Sequence, residues 1–222
     1  MPSRGSSASD CSHNSDPAGG PNYSRASRDT QRLLPKRGNY RKLITYRKAE
    51  VIFDITYHFC ERFLRFPDRT IGQMVQAARS AKQNIVEGSK AGTTSRETEI
   101  RLTNVARASF EELLLDYRDF LRVRGHEIWE KDSRKAQHAR KMGMKSPLSY
   151  EDFREIVETR NADIVANVAI CLIFQATYLL DRQLASLGRS FLEEGGFREH
   201  MTRERLKARY NRSTNPDKEV EE

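Results

Sequence analysis

The chain has 222 residues, with 39 Lys and Arg against 31 Asp and Glu, for a formal net charge of +8. That length has room for one domain plus tails. A basic excess of this size favours solubility and attraction to polyanions such as nucleic acid, and carries no information about the fold. Three widely spaced cysteines, Cys11, Cys60 and Cys171, argue against a disulfide framework and fit a reducing cytoplasm. No apolar run follows the first basic residues, so no secretory signal is expected.

Residues 1–39 are rich in Ser, Gly, Pro, Asn and Arg and have little apolar periodicity, the composition of a disordered tail. A first helix is predicted from about Leu43 to Leu64, with Val51, Ile52, Ile55, Phe59 and Phe63 recurring at three- and four-residue spacing. Pro67 ends it. A second helix runs from about Thr70 to Glu87, with Ile71, Met74, Ala78, Ala81 and Ile85 on its core face and Gly88 placed to close it in a left-handed cap. In "TTSRETE", Thr94 and Glu97 have the spacing of a capping box. The third helix they open continues to about Val123, with Leu102, Val105, Ala106, Ser109, Leu113, Tyr117 and Phe120 on one face and Gly125 after its end. Residues 126–148 form a long basic connection with a short helix expected around Trp129. Ser149 is placed to cap a fourth helix reaching about Leu187. No alternating strand pattern occurs.

The expected architecture is therefore all-α, an antiparallel four-helix bundle over residues 40–187. A helical suffix over 188–212 and an acidic disordered tail over 213–222 follow it. "IVANVAICLIFQATYLL", residues 164–180, has no formal charge. It is short for a membrane span and holds Asn167 and Gln175, and reads as a buried helix.

By helical period, Tyr46, Phe53, Tyr57, Cys60 and Leu64 make a second, aromatic stripe on the first helix, opposite Val51, Ile55 and Phe59. Leu115 points away from the core face of the third helix. Ile170, Ile173 and Phe174 make the fourth apolar all round. On the second helix Gln73, Gln76, Ser80, Gln83 and Asn84 form an outer face with few charges. Amides bury at lower desolvation cost than charges do. These residues together predict a homo-oligomer, with Tyr46, Phe53, Tyr57, Gln73, Gln76, Ser80, Gln83, Asn84, Leu115, Ile170 and Ile173 at or near the interface. The plainer alternative for the second helix is a solvated face.

Enzymatic chemistry is not expected. There is no Glu-x-x-His for a di-iron site, no P-loop, no Gly-x-Ser-x-Gly and no Gly-x-Gly-x-x-Gly. His13, His58, His126, His138 and His200 lack metal-ligand spacing, and no cofactor is implied. Glu112, Asp116 and Asp119 read as a salt-bridged surface. Two segments are densely basic. Arg134, Lys135, Arg140, Lys141 and Lys145 lie in the connection after Trp129, and Arg203, Arg205, Lys207 and Arg209 lie near Tyr210. Such side chains neutralise phosphates and release counterions. Without a base-reading motif the expected mode is backbone binding of RNA or DNA without sequence specificity. The alternative is a protein-interaction or scaffold subunit that has no nucleic-acid role.

The stretch "MVQAARSAKQNIVEGSKAGTTSRETEIRLTNVARASFEELLLDYRDFL" resembles the four-helix bundle proteins encoded in intervening sequences of bacterial 23S ribosomal RNA genes. The shared pattern is Ser80, Asn84, Ile85, Glu87 and Gly88, then Ala106, Ser109 and Glu112. "LLDRQLASLGRSFLEEGGFREHM" is similar to the suffix of one branch of that family. The resemblance implies a bacterial, cytoplasmic, all-α protein. A related branch, the accessory protein of diversity-generating retroelements, implies a basic pentamer that binds nucleic acid and a protein partner.

Overall fold

A computed structural model describes residues 39–65 and 67–214. The two tails expected from composition therefore lie outside the described residues, apart from Asn39, Ser213 and Thr214. A 3₁₀ turn at Tyr40–Lys42 leads into α1 (Ile44–Phe63), α2 (Arg69–Ala91) and α3 (Arg96–Val123). Then come α4 (Arg134–Gly143), a 3₁₀ turn at Tyr150–Asp152, α5 (Arg154–Thr159), α6 (Ala162–Glu194) and α7 (Phe197–Thr214). No strand occurs among the described residues.

The four long helices form a closed ring: α1 packs on α2 and α6, and α3 packs on the same two. Their apolar stripes meet in one core. Phe59 stands edge-on to Tyr117 and Phe120 with ring centres 5.0 and 4.8 Å away. The hydroxyl of Tyr117 is kept from water and donates to Thr56 Oγ1 at 3.1 Å, which in turn donates to the Ile52 carbonyl at 2.7 Å. A buried phenol thus has its polar atom satisfied by the neighbouring helix.

Several helix ends differ from those read in the sequence. Gly88 does not end α2. It is buried inside the helix, at the contact of α2 with α3, where an added Cβ would sit 3.4 Å from that of Leu102. The true cap is Gly92. Ser95 caps α3, accepting from the Thr98 amide at 3.1 Å. Thr94 is one residue too early, and its hydroxyl donates back to the Ala91 carbonyl at the end of α2. The far end of α3 is as expected. Gly125 has φ +68°, His126 N donates to the Leu121 carbonyl and Gly125 N to that of Arg122, the paired closure that a left-handed glycine allows.

The largest difference lies between α3 and α6. No helix forms around Trp129. Its amide donates instead to Asn167 Oδ1 at 2.8 Å, and Asn167 Nδ2 donates to the Glu127 carbonyl at 2.9 Å. The helix of this connection is α4, capped by Ser133, and it lies along α6 on Ala136, Ala139 and Gly143. Ser149 caps only the 3₁₀ turn. The chain breaks again at Arg160 and Asn161 before α6 starts, and α6 runs through Leu187 without interruption.

By length and composition α6 could cross a membrane, but it is mostly buried among the other helices. The two amides in its apolar run are the atoms that hold the connecting segment, Asn167 as above and Gln175 through the Arg140 carbonyl at 2.9 Å.

Candidate nucleic-acid interface

α4 has a sharp division of faces. Ala136, Ala139 and Gly143, at three- and four-residue spacing, are buried against α6. Arg134, His138 and Lys141 follow the same spacing on the opposite side and are exposed, as is Lys135. The Lys135 ammonium lies 5.9 Å from the centre of the Trp129 ring. Glu127 and Glu130 wall the same shallow hollow and partly offset the charge of Arg134 and Lys135. Arg140 is half-buried, and Lys145 is bound in an ion pair to Asp152.

α7 follows Gly195, which has φ +76°. Its first turn is closed by Glu199, whose Oε2 accepts from Gly196 N at 2.7 Å, and Gly196 and Glu199 lie beside Thr94–Thr98. Among the described residues α7 has no extended packing against another element. Arg203, Arg205, Lys207 and Arg209 are all exposed. Lys207 donates to Glu204 at 2.9 Å, which holds that carboxyl below its usual range.

The two basic segments do not meet where they join the body. α4 lies against α6 near Leu172 and Gln175, whereas α7 leaves α6 after Glu194. Gly195 lies twenty residues after Gln175, about 30 Å along the axis at 1.5 Å per residue.

The expected oligomer face is divided by the structure. Gln73, Gln76 and Gln83 are exposed on α2, Tyr57 on α1 and Leu115 on α3. Tyr46 and Phe53 are half-buried. The first stacks edge-on with Tyr40 and the second lies under the Lys82 ammonium at 3.9 Å. Ser80 and Asn84 turn inward: Ser80 Oγ is 2.9 Å from Ser109 Oγ of α3, and Asn84 Nδ2 donates to the Ser80 carbonyl. Ile170 and Ile173 are buried within the same chain, so neither can reach a second subunit. The all-round apolar character of α6 reflects cover by α4 and α5 in addition to the ring of long helices.

Cys60 and Cys171 are buried free thiols, and burial pushes Cys60 up to about 12. Among the described residues no group of three or more His, Cys, Asp or Glu is arranged to hold a metal. Asp119 is bridged to Arg122 at 2.8 Å, as the salt-bridged reading of this face expects. Asp116 is not. Its Oδ2 is buried without a hydrogen-bond partner among the described residues, and burial, with Glu112 and Asp119 nearby, holds its carboxyl above the usual range.

Sequence reasoning missed Lys48. It occupies the core stripe Thr45, Lys48, Ala49, Ile52, and a lysine in that phase was a visible signal. Burial brings its pKa down to about 8. The chain matches no protein-family model, no curated protein and no solved structure.

Proposed function

We propose that the chain is a non-enzymatic, cytoplasmic, oligomeric four-helix bundle that binds RNA or DNA through the phosphate backbone, with α7 as the principal contact. The observation that carries this reading is α7 itself. It is an 18-residue helix with six Lys and Arg against two Glu, and Arg203, Arg205, Lys207 and Arg209 are exposed on it. A polyanion would neutralise its cations and release counterions. Arg205 and Arg209, one helical turn apart, lie on one face of α7 and are exposed. α4 is a second, separate basic surface.

The bundle reading is supported by the ring of contacts and by the short links at 64–68 and 92–95, which suit antiparallel neighbours. Oligomerisation is supported by exposed Leu115, Phe174 and Tyr178 (59, 48 and 60% exposed) on α3 and α6. A subunit number of five, and membership of the ribosomal intervening-sequence family, rest on the sequence resemblance alone.

The test is fluorescence anisotropy with mixed RNA and DNA across salt. Reversing Arg203, Arg205, Lys207 and Arg209 to Glu should abolish binding at physiological salt and flatten the salt dependence by about 0.9 per lost phosphate contact. The same reversal at Arg134, Lys135, Arg140 and Lys141 should weaken binding less. No binding at low salt, or binding indifferent to α7, overturns the reading. A protein partner is the second reading, favoured by Leu206 and Tyr210, which are 60 and 69% exposed one turn apart on α7.

A further inference from the structure

A groove of about 400 Å³ opens where the first turns of α1, the end of α4 and the middle of α6 meet. Ile44, Leu148, Tyr178 and Leu179 give it an apolar wall. Among the described residues, those charged in its lining are Arg47, Lys48 and Lys145, with no Asp or Glu. A volume of this size is in the range of small-molecule sites, and one mixing apolar walls with a few polar groups has their usual composition.

Lys48 is the unusual member. It is only 2% exposed, and its Nζ donates to the Gly143 carbonyl at 2.6 Å and to Gln175 Oε1 at 2.9 Å. Both acceptors are neutral. An ammonium has three N–H groups, so one is left over after these bonds. A buried cation without a counter-charge is unfavourable. Tying α4 to α1 and α6 does not require a cation, since a neutral donor would serve at lower desolvation cost. Lys145 has its own counter-ion in Asp152, and Arg47 reaches the Arg41 carbonyl at 3.1 Å. The groove thus has a net positive lining around an apolar wall, and the matching ligand is an anion with an apolar body.

We propose that this groove binds a medium-chain monocarboxylate, its carboxylate accepting from Lys48 and Arg47 and its hydrocarbon chain lying along Ile44, Leu148, Tyr178 and Leu179. The proposal does not rest on the nucleic-acid reading of α7, and of the basic residues named for nucleic acid the groove shares only Lys145.

Calorimetric titration of the full chain with sodium octanoate and with 1-octanol tests it. The two ligands share a chain and differ in charge. Octanoate should bind at least about tenfold tighter, the difference a charge-assisted hydrogen bond makes. Lys48→Met keeps an unbranched chain one atom shorter and removes the charge, and should bring the two affinities together. Met144→Asp is a second variant, at a groove residue 75% exposed that can change without disturbing the core. It places a negative charge at the mouth and should weaken octanoate binding while sparing octanol. If octanoate does not bind, binds no better than octanol, or binds Lys48→Met or Met144→Asp as it binds the unaltered chain, the proposal is wrong.

Discussion

α4 and α7 are both basic helices, yet one is bound into the fold and the other stands off it. The difference does not lie in their charge. α4 carries Ala136, Ala139 and Gly143 in one line, and this small-residue face lets it lie close on α6. At Gly143 a Cβ would collide with Gln175 and Leu172. Three polar anchors then hold the segment: Lys48 to Gly143, Gln175 to Arg140, and Asn167 to both Glu127 and Trp129. α7 has no such line. Two of its described apolar side chains, Leu206 and Tyr210, are left in solvent, whereas Met201 is half-buried. Basic composition therefore decides what a helix attracts, whereas the small residues between the charges decide whether the rest of the chain covers it.

The sharpest way to break this comparison is to put the same substitution in both helices. Ala139→Glu places a carboxylate against α6 at a position 2% exposed. It should cost about 3 kcal/mol in urea unfolding, or undock α4. Ala208→Glu, exposed on α7, should change stability by no more than about 0.5 kcal/mol. Equal effects would mean that α7 is packed in solution.

Removing a polar anchor is the next test. Asn167 is 1% exposed and makes three bonds, two of them to the segment before α4 and one to the Asp163 carbonyl. Asn167→Ala leaves the Trp129 amide and the Glu127 carbonyl without that partner, which should cost about 2 kcal/mol. It should also make residues 126–133 the first site of limited proteolysis, read by mass spectrometry of the fragments. Protection of that segment in the variant would show that α4 docks without Asn167.

These contacts also mark how far the sequence could be read. The ends of α1 and α3 were legible because Pro67 and Gly125 act locally. Gly88 was misread because a glycine inside a helix and a glycine that ends one have the same letter, and only the approach of Leu102 tells them apart. α4 was missed because alanine and glycine give a weak apolar signal, although they form a good packing face. Asn167 and Gln175 stood out as polar residues in an apolar run, but their partners lie 35 to 40 residues earlier and nothing local names them. That two segments are basic was legible from composition. Their separation was not, because it depends on where α4 docks and on α6 continuing past Leu187. Ile170 and Ile173 were given to a second subunit because the cover that α4 and α5 supply was not foreseen.

The smallest expected effect concerns the Lys48 anchor and depends on pH. Burial lowers the Lys48 pKa from an ordinary 10.5 to about 8. Between those values the unfolded chain keeps the proton and the folded chain has released it. The unfolded state therefore binds more protons, and this group makes the fold more stable as pH rises through the window. Cys60 and Tyr117 act the other way, since burial raises both and the folded chain holds their protons longer. The two opposing groups are present in Lys48→Met as well, so the difference between the two proteins isolates Lys48. From pH 8 to pH 9 the unaltered chain should gain about 1 kcal/mol on Lys48→Met in chemical unfolding. A difference that stays flat across that step would mean that Lys48 keeps its proton throughout, held by a counter-charge that joins α4 to α1 more firmly than the Gly143 and Gln175 acceptors do.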